Sequence, residues 1–288
     1  MSLWAREPTT AADASYKTAV WAYYRYYPSE AAAILFTVLF LITTFVHLYQ
    51  LLRRRTWFFI PFVIGGFFEW VGYLGRALSS RESPNWSMGP YIQQTLLLLL
   101  APALFAASVY MMLGRIVVLL DAEHLCIFKK KWLTKFFVCG DVLSFTVQAA
   151  GGGVMASGSL SAVQNGEKIV IAGLAIQILF FSLFIVTCAI FHRRVVKRQT
   201  EKSINLSSSW RKHLWILYAV NLLIMIRSMF RLIEYAMGNN GYLLRHEAFL
   251  YVFDGVLMLA AMILFNVVHP SSLIPSRSKS LEQDSSAA

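Results

Sequence analysis

Residues 57–78 read WFFIPFVIGGFFEWVGYLGRAL. At ~1.5 Å per residue, a helix of this length exceeds the ~30 Å hydrocarbon core of a bilayer. Yet the run contains Glu69 and Arg76. Each ionisable group costs at least ~2.5–3.5 kcal/mol at the bilayer centre. Glu69, Tyr73 and Arg76 recur at i, i+4 and i+7, so they share one helical face. The pattern predicts a transmembrane helix with apolar sides toward lipid and one polar stripe turned onto other helices. A stripe of that kind needs partners, so the chain must supply further spans.

It does. Runs at 31–52, 91–120, 132–156, 168–191, 214–237 and 247–268 are similarly long and apolar. Together they predict an all-α integral membrane protein, a seven-transmembrane-helix bundle. The third run is the longest, so that helix tilts or projects from the membrane. Composition agrees: of 288 residues 57% are apolar and 14% charged, against roughly 25% charged in soluble domains. This excludes disorder over most of the chain. Three cysteines, Cys126, Cys139 and Cys188, lie in separate segments, which excludes a disulfide-stapled scaffold. Short connections leave no room for an inserted soluble domain. The expected organisation is an external N-terminal tail at 1–29, a membrane domain at 30–270 and a disordered, Ser-rich cytosolic tail at 271–288. The first tail has no apolar run, so no cleavable signal peptide is expected and the first span acts as the insertion signal.

Net charge is +11. Its placement explains it. The connections after spans 1, 3 and 5 and the C-terminal tail hold fifteen Lys and Arg; the N-terminal tail and the other connections hold five. The positive-inside rule then puts the N-terminus outside and the C-terminus in the cytosol. Basic loops beside the membrane attract anionic inner-leaflet lipid, and no nucleic-acid partner is needed. Of two sequons, Asn85-Trp86-Ser87 is expected outside and Asn205-Leu206-Ser207 inside, where it stays unmodified.

The membrane charges are the candidate site. Arg227, Arg231 and Glu234 in span 6 repeat the i, i+4, i+7 spacing, as do Glu247, Tyr251 and Asp254 in span 7. Asp141 and Gln148 in span 4 lie two turns apart. Rise per residue puts Glu69 about 18 Å from Trp57 and Asp254 about 10 Å from Glu247, so most of the charge falls in the outer half. Glu69, Asp141, Glu234 and Asp254 outnumber Arg76, Arg227 and Arg231, leaving one acid free to bind a cation or a proton. Asp254 is the expected one. Mutual pairing that fixes helix register is the competing role for all these residues. Small residues at Ala101, Ala103 and Gly151-Gly152-Gly153 read as close helix packing or, for the glycines, a hinge; Pro102 should kink span 3.

No P-loop, GxSxG, HExxH or CxxC motif occurs, so no catalytic residue, metal set or cofactor is implied. His47 and His269 sit near the cytosolic ends of spans 1 and 7, a haem or metal pair in principle but more simply interfacial histidines.

With these motifs laid out, the sequence resembles the fungal lipid-translocating exporter family, which includes aminocholesterol-resistance and sphingoid long-chain-base exporter proteins. The matching stretches are YPS at 27–29, GGFFEWVGYLGR at 65–76, QTLLLLLAPALFAASVYMMLGR at 94–115, GDVLSFTVQAAGGG at 140–153, RSMFRLIEYAMG at 227–238, EAFLYVFD at 247–254 and the His269-Pro270 pair. The resemblance implies a multi-pass protein, of the plasma membrane, that moves amphipathic lipids and confers resistance to toxic lipophiles. It maps the family's polar positions onto Glu69, Arg76, Asp141, Gln148, Arg227, Arg231, Glu234, Glu247 and Asp254. The chain departs at Leu257, where many members have a proline. The expected partners are membrane lipids and an amphipathic lipid substrate, its amine at Glu69, Asp141 or Asp254 and its tail among Phe and Leu. No oligomeric state is specified. The alternative is a seven-helix lipid sensor signalling through the basic loop 193–212.

Overall fold

The computed structural model describes residues 23–127, 130–155, 159–198, 202, 204, 207–238 and 241–273. Most of the N-terminal tail, the end of the C-terminal tail, the sequon at Asn205 and parts of the basic loop at 193–212 lie outside the described residues. The chain forms seven helices long and apolar enough to cross a membrane. They are α1 (Glu30–Arg54), α2 (Ile60–Arg81), α3 (Met88–Leu119), α4 (Lys130–Met155), α5 (Leu160–Lys197), α6 (Ser207–Ala236) and α7 (Glu247–Val267). Among the described residues there is no strand. Lipid offers the backbone no hydrogen bonds, so spanning segments satisfy themselves as helices.

The helix ends carry the expected chemistry. Ser29 caps α1, its hydroxyl accepting from Ala32 N, with Glu30 in the first turn and Arg53 and Arg54 in the last. α3 runs unbroken through Pro102. The longest helix is α5, not α3: it has 38 residues and begins at Leu160, well before the apolar run starting at 168. Hydropathy locates the apolar part of a helix, whereas Gln164, Asn165 and Glu167 before the apolar run still propagate one from the Ser159 cap.

In sequence order, each helix packs on the next, α7 closes against α1, and α3 also touches α6. This places α3 centrally: 67% of its most apolar window is buried, against 22% of that of α1. Large apolar side chains such as Leu35, Ile42, Leu179 and Leu222 are exposed, while Glu69, Arg76, Arg227 and Asp254 are buried. That inversion of the soluble pattern is what lipid solvent requires.

An aromatic stack binds α1, α2 and α7. Tyr73 lies between Phe40 and Tyr251, and Phe36 stacks on both tyrosines, with ring centres 5.0–6.0 Å apart. α7 meets this stack through a π-helical turn at Tyr251–Val256. Gly255 lies in it, and a Cβ there would come within 2.6 Å of Phe36 and 2.7 Å of the Tyr73 hydroxyl. So α7 is irregular just before Leu257 without a proline. Turns of this kind concentrate at functional sites.

Candidate functional site

The α6 and α7 stripes meet. Arg227 Nε pairs with Asp254 Oδ1, and Arg227 Nη2 donates to Leu98 O at 2.6 Å. Arg231 divides its guanidinium between Asp254 Oδ2 at 2.6 Å and Glu234 Oε2 at 2.9 Å. Asp254 is therefore not the free acid expected from the sequence; two arginines hold its two oxygens. α6 presents both guanidinium groups to the same level of α7, and Arg76 pairs with Glu247, which the charge count leaves out, so two acids rather than one are left over. Among the described residues, the membrane acids without an ion-pair partner are Glu69 and Asp141; neither carboxyl oxygen of Glu69 has a hydrogen-bond partner, although Asp254, Arg227 and Arg231 are its charged neighbours.

About two helical turns from Glu69, Arg76 organises a second cluster. It donates to Glu247 Oε1 at 2.8 Å, Tyr26 Oη at 2.7 Å and Tyr251 Oη at 3.1 Å. Gln94 Oε1 accepts from both Arg76 and Tyr24. The Tyr24, Tyr26 and Tyr251 rings each lie within 5.6 Å of the guanidinium carbon. Glu247 also accepts the Ser29 N–H through both oxygens, each at 2.9 Å. The segment before α1 is thus tied to the end of α2 and the start of α7. Burial raises the Tyr24 and Tyr26 phenols above the ordinary tyrosine value, so both remain hydroxyls.

α4 contributes separately. Gln148 donates to Ser144 Oγ at 2.7 Å and to Gln177 Oε1 at 3.1 Å, and Ser144 donates to Gly173 O at 2.7 Å. Asp141, two turns away on α4, lies beside the Tyr110 hydroxyl, and among the described residues no charged group faces it. Tyr73 belongs to the aromatic stack.

Two adjoining cavities open among these groups. A polar chamber of about 100 Å³ is lined by Arg76, Arg231, Glu167 and Glu234, and by the tyrosines at 23, 24, 26, 91 and 235. An apolar crevice of about 240 Å³ lies between α3, α4 and α5, lined by Ile92, Leu96, Gly152, Gly153 and Val170, with the Gln148 amide at its edge. Both cavities are bordered by Tyr23, Tyr91, Thr95, Leu99, Met155 and Tyr235. Gly152 and Gly153 are exposed on the outer surface of α4. The chamber with its crevice can receive a molecule with a polar head and an apolar tail.

Of the sequence candidates, Arg76, Arg231, Glu234 and Gln148 line the cavities, whereas Glu69, Tyr73, Asp141, Arg227, Glu247, Tyr251 and Asp254 stand behind them. The sequence reading did not single out Tyr24, Tyr26, Gln94 and Glu167. The YYRYYP run at 23–28 carried the signal for the tyrosines. Glu167 lies one residue before the apolar run of the fifth span, where hydropathy gives no signal.

His47 and His269 each commit one ring nitrogen to backbone: His47 Nε2 lies 3.0 Å from Met262 O, and His269 Nδ1 accepts from Ser271 N at 3.2 Å. Among the described residues no group of three or more potential ligands is placed to hold a metal ion.

Fold and site together define a multi-pass seven-helix membrane protein with a buried ion network and an amphipathic cavity. The sequence profile of the family described as RTA1 like protein matches residues 62–277, and the chain belongs to that family. It is 38% identical to Protein RTM1 of Saccharomyces cerevisiae, over 86% of this chain and 91% of that one. Identity to Protoporphyrin uptake protein 1 of the same species is also 38%, covering 85% and 90%. The Sphingoid long-chain base transporter RSB1 is 26% identical, covering 82% of this chain and 70% of its own. No solved structure matches.

Proposed function

We propose that the protein is a transporter, exporter or translocase of amphipathic lipids such as sphingoid long-chain bases, acting at the plasma membrane and contributing to resistance against toxic lipophilic compounds. The observation that carries this reading is the polar chamber adjoining an apolar crevice. A protonated amine meets Glu167 and Glu234, neighbouring hydroxyls meet the tyrosines, and the alkyl chain lies along Ile92, Leu96 and the surface opened by Gly152. The family's sphingoid-base member supports the substrate class.

The chamber lies at the end of the bundle that carries Ser29 and Glu247, opposite the Arg53–Arg55 end of α1. With the basic asymmetry of the loops, this supports an external N-terminus, a chamber facing outward and a membrane domain over 30–270 between an external and a cytosolic tail. Protease applied to intact cells removes a tag before Ser15 and spares one after Ser278; the reverse pattern inverts the chamber.

The test is reconstitution. Purified protein in liposomes accelerates movement of a labelled long-chain base between leaflets without any added protein. Liposomes with protein that match protein-free ones sink the transporter reading and leave the lipid-sensor alternative.

A further inference from the structure

Glu69 differs from the paired acids Glu234, Glu247 and Asp254. It is fully buried, and both carboxyl oxygens lack a hydrogen-bond partner. The charged groups facing it are Arg227 and Arg231 from α6 and Asp254 from α7, and Tyr73 is the titratable neighbour on its own helix. α1 brings only the uncharged rings Phe36 and Phe40 to Tyr73, and α3 packs on this part of α2 through Leu98 and Phe105.

The arginines are already engaged. Arg227 binds Asp254 and Leu98 O, and Arg231 binds Asp254 and Glu234, leaving only its Nε without a partner. Asp254 and Glu234 therefore balance Arg227 and Arg231. An ionised Glu69 would add an unbalanced, unsolvated charge to that cluster, the costliest state a buried carboxyl can take. A bound proton removes the charge and leaves the cluster neutral.

The same cluster borders the chamber, because Arg231 and Glu234 line it. We propose that Glu69 is a proton site, protonated at rest, which gives up its proton when a cationic head group enters the chamber. The head group takes a place on Glu234, Arg231 turns its charge toward Glu69, and the carboxyl O–H proton leaves to water. One positive charge enters for each proton released, so the total charge of the cluster does not change. Asp141 is also buried, beside the Tyr110 hydroxyl, but among the described residues no charged neighbour faces it to drive such an exchange. The exchange half of this inference rests on the transport reading above; the resident proton does not.

Infrared spectra of the purified protein at neutral pH, with and without Glu69→Gln, read the proton directly. The expected result is loss of one protonated-carboxyl C=O band in Glu69→Gln, with wild-type abundance and melting, since the amide copies the neutral acid. An unchanged spectrum overturns the proposal. So does failure of Glu69→Gln to fold, which marks Glu69 as a charged member of the network. Exchange is read with an N,N,N-trimethyl long-chain base, whose fixed charge carries no proton of its own, added to weakly buffered protein with a pH indicator. One proton per bound base is expected from wild type and none from Glu69→Gln. Binding without release, or equal release from both proteins, overturns the exchange. Absence of binding counts against the transport reading and removes the exchange with it, while the infrared band still decides whether Glu69 holds a proton.

Discussion

Arg231 Nη2 lies 2.6 Å from Asp254 Oδ2, while its Nη1 holds Glu234 Oε2 at 2.9 Å. One guanidinium thus joins an acid buried behind the site to an acid that lines it. Because Arg227 holds the other oxygen of Asp254, this carboxylate is the anchor of α7 on α6.

Asp254→Asn leaves two guanidinium groups short of their common negative charge. Removing one member of a buried ion cluster costs about 3–5 kcal/mol. We expect a large fall in surface abundance and in the melting temperature of the purified variant. Wild-type abundance would show that Asp254 is dispensable to the fold.

The α4–α5 crossing separates packing from function within three adjacent glycines. A Cβ on Gly151 would lie 2.8 Å from Gly166 O, whereas one on Gly152 would meet nothing within 4 Å. Gly151→Val should destabilise by about 1–3 kcal/mol through overpacking. Gly152→Leu should melt like wild type yet slow lipid movement, because its side chain projects at the crevice. Equal melting of both variants would contradict the helix contact; unimpaired transport in Gly152→Leu would contradict the crevice.

The end of the bundle that carries Arg54 and His269 has its own pH response. Burial lowers the His269 imidazole to about 4, with Arg54 and His213 adding to the effect. The unfolded chain takes up this proton near the ordinary value of about 6.5. Stability from the neutral ring is therefore complete above 6.5 and is lost as pH falls toward 4. Melting measured at pH 7 and pH 5 should show a smaller drop in His269→Asn than in wild type; identical drops would exclude His269 as a source of the acid sensitivity.

The seven spans were legible because lipid imposes length and hydropathy on them. So was the inward turn of Glu69, Arg227, Arg231 and Glu234, since the cost of membrane charge and helical spacing act on sequence directly. Partner choice was not. Whether Arg231 meets Glu69 or Asp254 depends on helix rotation and on the π-helical turn at Tyr251–Val256, which no local residue pattern announced. The early start of α5 escaped for a related reason: Gln164 and Asn165 look like loop residues, but the Ser159 cap sustains a helix through them and carries Glu167 to the chamber. The Tyr24 and Tyr26 contacts required knowing that the segment before α1 folds back over Arg76.

The central claim is that one molecule places its head in the chamber and its tail in the crevice. Photolabelling of the reconstituted protein with a long-chain base carrying a diazirine on its alkyl chain tests this most directly, with the label mapped by mass spectrometry. The account predicts labelling of α3 around Ile92 and Leu96 and of α4 around Gly152 and Met155, suppressed by excess unlabelled base and lost in Gly152→Leu. Labelling confined to lipid-facing positions such as Ile42 and Leu179, with no competition by unlabelled base, would contradict it.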